Sequence, residues 1–90
     1  TGFELLIPDL SHLPDEDYLR DVIWQTIETA LEKMPAAQRD VFIKHELEQK
    51  SYKEMEVIFN ENINTLLSRK RYAIQFLRKE LENFYNEILD

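Results

Sequence analysis

Five cations, Arg69, Lys70, Arg71, Arg78 and Lys79, fall within residues 62–79, a stretch without a single acid, in a 90-residue chain whose formal net charge is −7. Clustered guanidinium and ammonium groups are the chemistry of phosphate recognition, and Arg adds a fork that donates two hydrogen bonds to one guanine edge. The rest of the chain opposes that use. Residues 1–33 hold eight acids against Arg20 and Lys33, residues 34–61 hold six acids against four bases, and Glu80, Glu82, Glu87 and Asp90 follow the island. One basic island in an acidic chain implies a local anion-binding face rather than a body coated in positive charge.

Other chemistry finds little support. His12 and His45 stand far apart, no Ser-His-Asp set can be assembled, and with Gly2 as the only glycine no Gly-rich phosphate loop exists. The many carboxylates suit solvated helix faces in so acidic a chain, and His45 reads as a satisfied helix residue. An enzyme is not expected, nor a cofactor. Zero Cys excludes disulfides, a thiolate nucleophile and sulfur-rich zinc sites, and fits a cytoplasmic setting. No apolar run exceeds three residues, as in Leu5-Leu6-Ile7. A membrane span needs roughly 20, so no membrane partner is expected. The chain opens at Thr1 and reads as a piece of something longer.

The elements that must position the island read as all-α. Residues 1–16, with Pro8, Ser11, Pro14 and the acidic Asp15-Glu16-Asp17 entry, form a lead-in or linker in which Phe3, Leu5, Leu6 and Ile7 are free to dock. Residues 17–90 form the domain. Leu19, Val22, Ile23, Ile27, Ala30, Leu31 and Met34 recur at helical spacing until Met34-Pro35 ends the stripe. A second helix starts at Pro35 and runs through Val41, Phe42, His45 and Leu47 to the polar Glu48-Gln49-Lys50. Ser51 and Glu54 make a capping box for a third, with Met55, Ile58 and Phe59 inward. Asn60 and Asn62 place a tight turn at residues 60–63, since Asn tolerates a left-handed backbone. A long helix follows, with Ile63, Leu66, Ala73, Leu77, Leu81, Phe84 and Ile88 on one apolar face. The result is a four-helix domain containing a helix-turn-helix over residues 52–71, its second helix carrying the basic island.

These residues also carry a family likeness. Ala30-Leu31-Glu32-Lys33-Met34-Pro35-Ala36-Ala37-Gln38-Arg39-Asp40-Val41-Phe42 resembles the "AL..LP..QR.VF" opening of region 4 of bacterial sigma factors. Ser51-Tyr52-Lys53-Glu54-Met55 resembles the family's "S-Y-x-E-I", and Asn64-Thr65-Leu66-Leu67-Ser68-Arg69 its "x-T-V-x-S-R". Phe76-Leu77-Arg78-Lys79-Glu80-Leu81 closes a correspondence over residues 17–82, and the short form looks like the extracytoplasmic-function group. Four positions depart from the pattern. Gln49 and Asn60 stand where Gly is usual, Glu56 where the family has a small Ala, and Lys70 where it has an inward aliphatic residue. An ion pair between Glu56 and Lys70 across the helix crossing is the expected compensation.

With Leu66 inward at 100° per residue, the opposite side of the long helix presents Asn64, Ser68, Arg71 and Gln75, flanked by Leu67 and Tyr72. Asn64, Leu67, Ser68, Arg71 and Gln75 are the expected base readers: Arg for guanine, Asn or Gln for adenine, Leu67 for a thymine methyl. Tyr72 reads as packing or solvent contact. Arg69, with Tyr52 and Lys53 at the start of the third helix, suits phosphates, which orient a domain without specifying sequence. Thr65 helps start the helix. The resemblance implies double-stranded promoter DNA at the minus-35 element, the β flap of RNA polymerase and an anti-sigma factor as partners. Acidic residues of the first helix and the apolar face near Phe84 and Tyr85 are the protein-contact surfaces open to such partners. The rival reading is a protein-interaction module whose acidic body contacts a basic partner and whose helix-turn-helix is only scaffold.

Overall fold

The computed structural model describes residues 17–89, which are helix and turn throughout. The lead-in expected over 1–16, with its docking of Phe3, Leu5, Leu6 and Ile7, lies outside the described residues. Helix α1 spans Asp17–Lys33, α2 Ala36–Phe42, α3 Tyr52–Phe59 and α4 Ile63–Leu89, with a π-helical turn Ile43–Leu47 continuing α2. Pro35 caps α2 in an extended conformation (φ −55°, ψ 138°) instead of occupying its first turn. At 1.5 Å per residue α4 is about 40 Å long, so it sets the 43 Å long axis of the molecule.

Two turns decide how α3 meets its neighbours, and both need a left-handed residue in a chain whose one Gly lies elsewhere. Asn60 (φ 53°) ends α3. Its amide and that of Glu61 both return to the Glu56 carbonyl, the latter at 3.3 Å, so the orphan carbonyl is satisfied. Gln49 (φ 57°) ends the π turn, where Glu48 donates to the Ile43 carbonyl at 3.0 Å and Lys50 to the Lys44 carbonyl at 2.9 Å. A left-handed backbone is unfavourable for a residue with a Cβ, by about 1–2 kcal/mol. Gln49→Gly is therefore expected to stabilise the domain by about 0.5–1 kcal/mol, the gain reduced by the larger freedom of Gly in the unfolded chain. Urea unfolding monitored by circular dichroism measures it, and a lowered midpoint would contradict the strain.

The main core joins α1, α2 and α4: Ile23, Ile27, Ala30, Leu31, Met34, Phe42, Ala73, Leu77 and Leu81 are buried together. Phe84 and Tyr85 pack against it, so the extension of α4 past Leu81 covers α1. A smaller cluster of Val41, Met55 and Leu66, flanked by Tyr52 and Phe59, is the buried apolar seat of α3 among the described residues. Two residues expected inward, Ile58 and Ile63, are instead exposed, as is Leu47 of the second helix. Met55 and Phe59, four apart, define the inward line of α3 and leave Ile58 at its edge. Ile63 opens α4 where no described neighbour covers it fully, and the π turn leaves Leu47 exposed while bringing His45 and Glu46 toward α4.

Candidate nucleic-acid interface

The start of α3 is held by the expected capping box. Ser51 Oγ accepts from the Glu54 amide at 3.1 Å, and Glu54 Oε1 accepts from the Ser51 amide at 3.3 Å and its hydroxyl at 3.1 Å. Those bonds, the backbone one foremost, hold the Glu54 carboxyl below its ordinary pKa. The start of α4 is held by Asn62, whose Oδ1 accepts from the Thr65 amide at 2.9 Å. Both helices of the motif are thus fixed at their N-termini, which sets the direction in which α4 presents its first turns.

Asn64, Leu67, Arg71 and Gln75 are exposed and Ser68 half-exposed, in agreement with the helical arithmetic that selected them. They fall on two adjoining stripes. Leu67, Arg71 and Gln75 follow one ridge of α4. Asn64, Thr65, Ser68 and Arg69 instead line an open groove of about 550 Å³, completed by Tyr72 and, from the start of α2, by Pro35, Ala37 and Gln38. Gln38 was not among the expected site residues, and Tyr72, which flanks them, was read as packing or solvent contact. Tyr72 carried a signal, because it lies four residues beyond Ser68 and eight beyond Asn64; Gln38 carried none, since only tertiary packing brings α2 alongside. The Arg71 guanidinium lies 5.4 Å from the Tyr72 ring centroid, so the two side chains present a combined cationic and aromatic surface.

The three residues expected at phosphates occupy different surroundings. Lys53 is exposed on the first turn of α3. Tyr52 is half-buried, its ring 4.4 Å from that of His45, and burial followed by the nearby Glu46 carboxylate raises its phenol pKa. Arg69 donates to Glu61 Oε1 at 3.3 Å, which ties its guanidinium to the turn of the motif.

Lys70 corrects one expectation. Its ammonium, on a residue only 6% exposed, lies 2.8 Å from Glu46 Oε1 and against His45 Nδ1, rather than pairing with Glu56. The face of α4 between Leu66 and Ala73 looks toward the end of α2, against which α4 packs more extensively than against α3. The π turn brings two consecutive side chains to that one cation. Lys70 is therefore a structural cation, and the basic island is weaker at the surface than its residue count implies.

Two helices held by caps, a left-handed turn between them and a polar exposed face on the second define a helix-turn-helix module. The family description "Sigma-70, region 4" matches residues 24–77, more than half of the chain, and the chain belongs to that family. No curated protein and no solved structure matched it in the corresponding comparisons. No described helix is long and apolar enough to cross a membrane.

Proposed function

We propose that the chain binds duplex DNA sequence-specifically at the promoter minus-35 element, as the region 4 domain of a sigma factor of the extracytoplasmic-function type that directs RNA polymerase to initiation. The observation that carries this reading is the outward face formed by exposed Asn64, Leu67, Arg71 and Gln75 with half-exposed Ser68 on the second helix of the motif, in a member of the sigma-70 region 4 family. Arg71 supplies a bidentate donor for guanine, Asn64 and Gln75 amide pairs for adenine, and Leu67 a methyl contact. Lys53, Arg69 and the Tyr52 hydroxyl are assigned to phosphates, with the β flap of RNA polymerase supplying the remaining affinity and an anti-sigma factor as a masking partner. With so few cations at the surface, the slope of log affinity against log salt is expected near −2 to −3, about 0.9 for each phosphate neutralised.

A second reading, a protein-interaction module without specific readout, draws on one observation: Lys70 is buried and Arg69 already bonded to Glu61. Selection from a randomised duplex library at low salt separates the two. Specific readout predicts an enriched motif. Arg71→Ala should lower affinity for that motif by about 1–3 kcal/mol, roughly fivefold to 150-fold, and relax the preference at one position. Lys53→Ala should weaken all duplexes alike. Equal binding of every duplex by the unaltered chain would favour the interaction module.

A further inference from the structure

The small cluster around α3 holds a polar assembly that DNA reading does not use. No residue of α3 enters the main core, and Met55 is its one fully buried side chain. Its first turn rests on His45 through the stacked Tyr52 ring, at 4.4 Å between centroids. His45 in turn accepts from Lys70 through Nδ1 and lies 3.8 Å from Glu46 Oε1, the same oxygen that Lys70 reaches at 2.8 Å. With the imidazole neutral, the buried ammonium has two acceptors and the assembly carries no net charge. A proton on Nδ1 removes one acceptor and sets two cations against one carboxylate oxygen, at a site where Lys70 has little access to water.

We propose that His45, Glu46 and Lys70 form an acid-sensitive latch, which keeps α3 docked on α4 while the imidazole is neutral and releases α3 when the imidazole is protonated. The groups facing His45 are Lys70 from α4, the phenol of Tyr52 from α3, which stays neutral throughout, and Glu46 from its own turn. Lys44, on the same turn, is paired with Glu48 at 2.9 Å. Burial and then Lys70 lower the His45 pKa from 6.5, against an opposing pull from Glu46, so the folded domain prefers the neutral ring. The latch's contribution is complete above about pH 6.5 and declines as the pH falls through that value toward the lower pKa of the folded state, because the released form binds the proton more readily. The main core of α1, α2 and α4 uses no α3 residue, so release leaves it standing.

Amide hydrogen exchange of the whole chain, corrected for intrinsic exchange and compared at about pH 7.5 and about pH 5.5, tests the latch. Protection of the α3 amides, Met55 and Phe59 among them, is expected to fall at the lower pH, by at most about tenfold, the limit for one proton across roughly one pH unit. Protection at Ile27 and Leu77 is expected to hold. In Lys70→Met the ammonium is gone and an imidazolium can pair with Glu46, so the drop should vanish. As a second measurement, the ring resonances of His45 should titrate below 6.5 in the unaltered chain and higher in Lys70→Met. Protection of α3 that does not change with pH, a drop shared by Ile27 and Leu77, or a drop that persists in Lys70→Met overturns the proposal.

Discussion

Glu46→Ala is expected to destabilise the domain by about 3 kcal/mol, the low end for removing one partner of a buried ion pair, because His45 still accepts from Lys70. The cost arises from what remains. Side chains of Lys70 and Glu46 are 7% and 15% exposed, so the ammonium cannot turn to water when the carboxylate is lost. Its long stem runs past Phe42, whose ring centroid lies 6.0 Å from Nζ and offers weak compensation. Lys70→Met should cost less than Glu46→Ala, since the thioether fills the same apolar channel and Glu46, the more exposed of the two side chains, lies 3.8 Å from an imidazole that can take up a proton. The double substitution should recover most of the loss of Glu46→Ala, and a double-mutant cycle in urea measures the coupling. A Glu46→Ala cost below about 1 kcal/mol, unchanged when Lys70 is Met, would show that the pair contributes nothing.

Leu66→Ala is expected to cost a comparable amount, about 3 kcal/mol, from lost apolar transfer and the cavity left behind. Leu66 is fully buried, and with Val41 and Met55 it makes up the whole buried cluster beneath α3. Removing its isobutyl group weakens the seat of α3 more than the main core, so loss of α3 protection should precede loss of overall helicity in urea. On the function proposed above, DNA affinity should fall when α3 is lost, because α3 carries Lys53. Val57→Ala serves as the control: Val57, on the same helix, is 82% exposed, and its truncation should change stability by less than about 0.5 kcal/mol. Equal effects at the two positions would contradict the division into two clusters.

Much of the fold was legible because its signals are local. Pro35, the Ser51 and Glu54 box, the left-handed Asn60 and the apolar stripes act over three or four residues, within reach of one helical turn. The outward row Asn64, Ser68, Arg71 and Gln75 follows from one inward residue and 100° per step, and their exposure agrees with it. That periodicity failed at its margins. Ile58 and Ile63 are apolar and correctly spaced, yet exposed, because a stripe gives a direction and not the extent of the neighbour that covers it.

What the sequence by itself determined, then, is a four-helix arrangement among the described residues, with a helix-turn-helix and the face its second helix turns outward, since caps and periodicity need only nearby residues. The tertiary structure alone decided which charges remain at that face. Lys70 meets His45 and Glu46 across 25 and 24 residues, and Arg69 meets Glu61 across the turn, eight residues away. Such pairings depend on helix crossing geometry and on the π turn that aims two adjacent side chains at one cation. Gln38 joins the groove beside Ser68 for the same reason: only the packing of α2 on α4 brings it there.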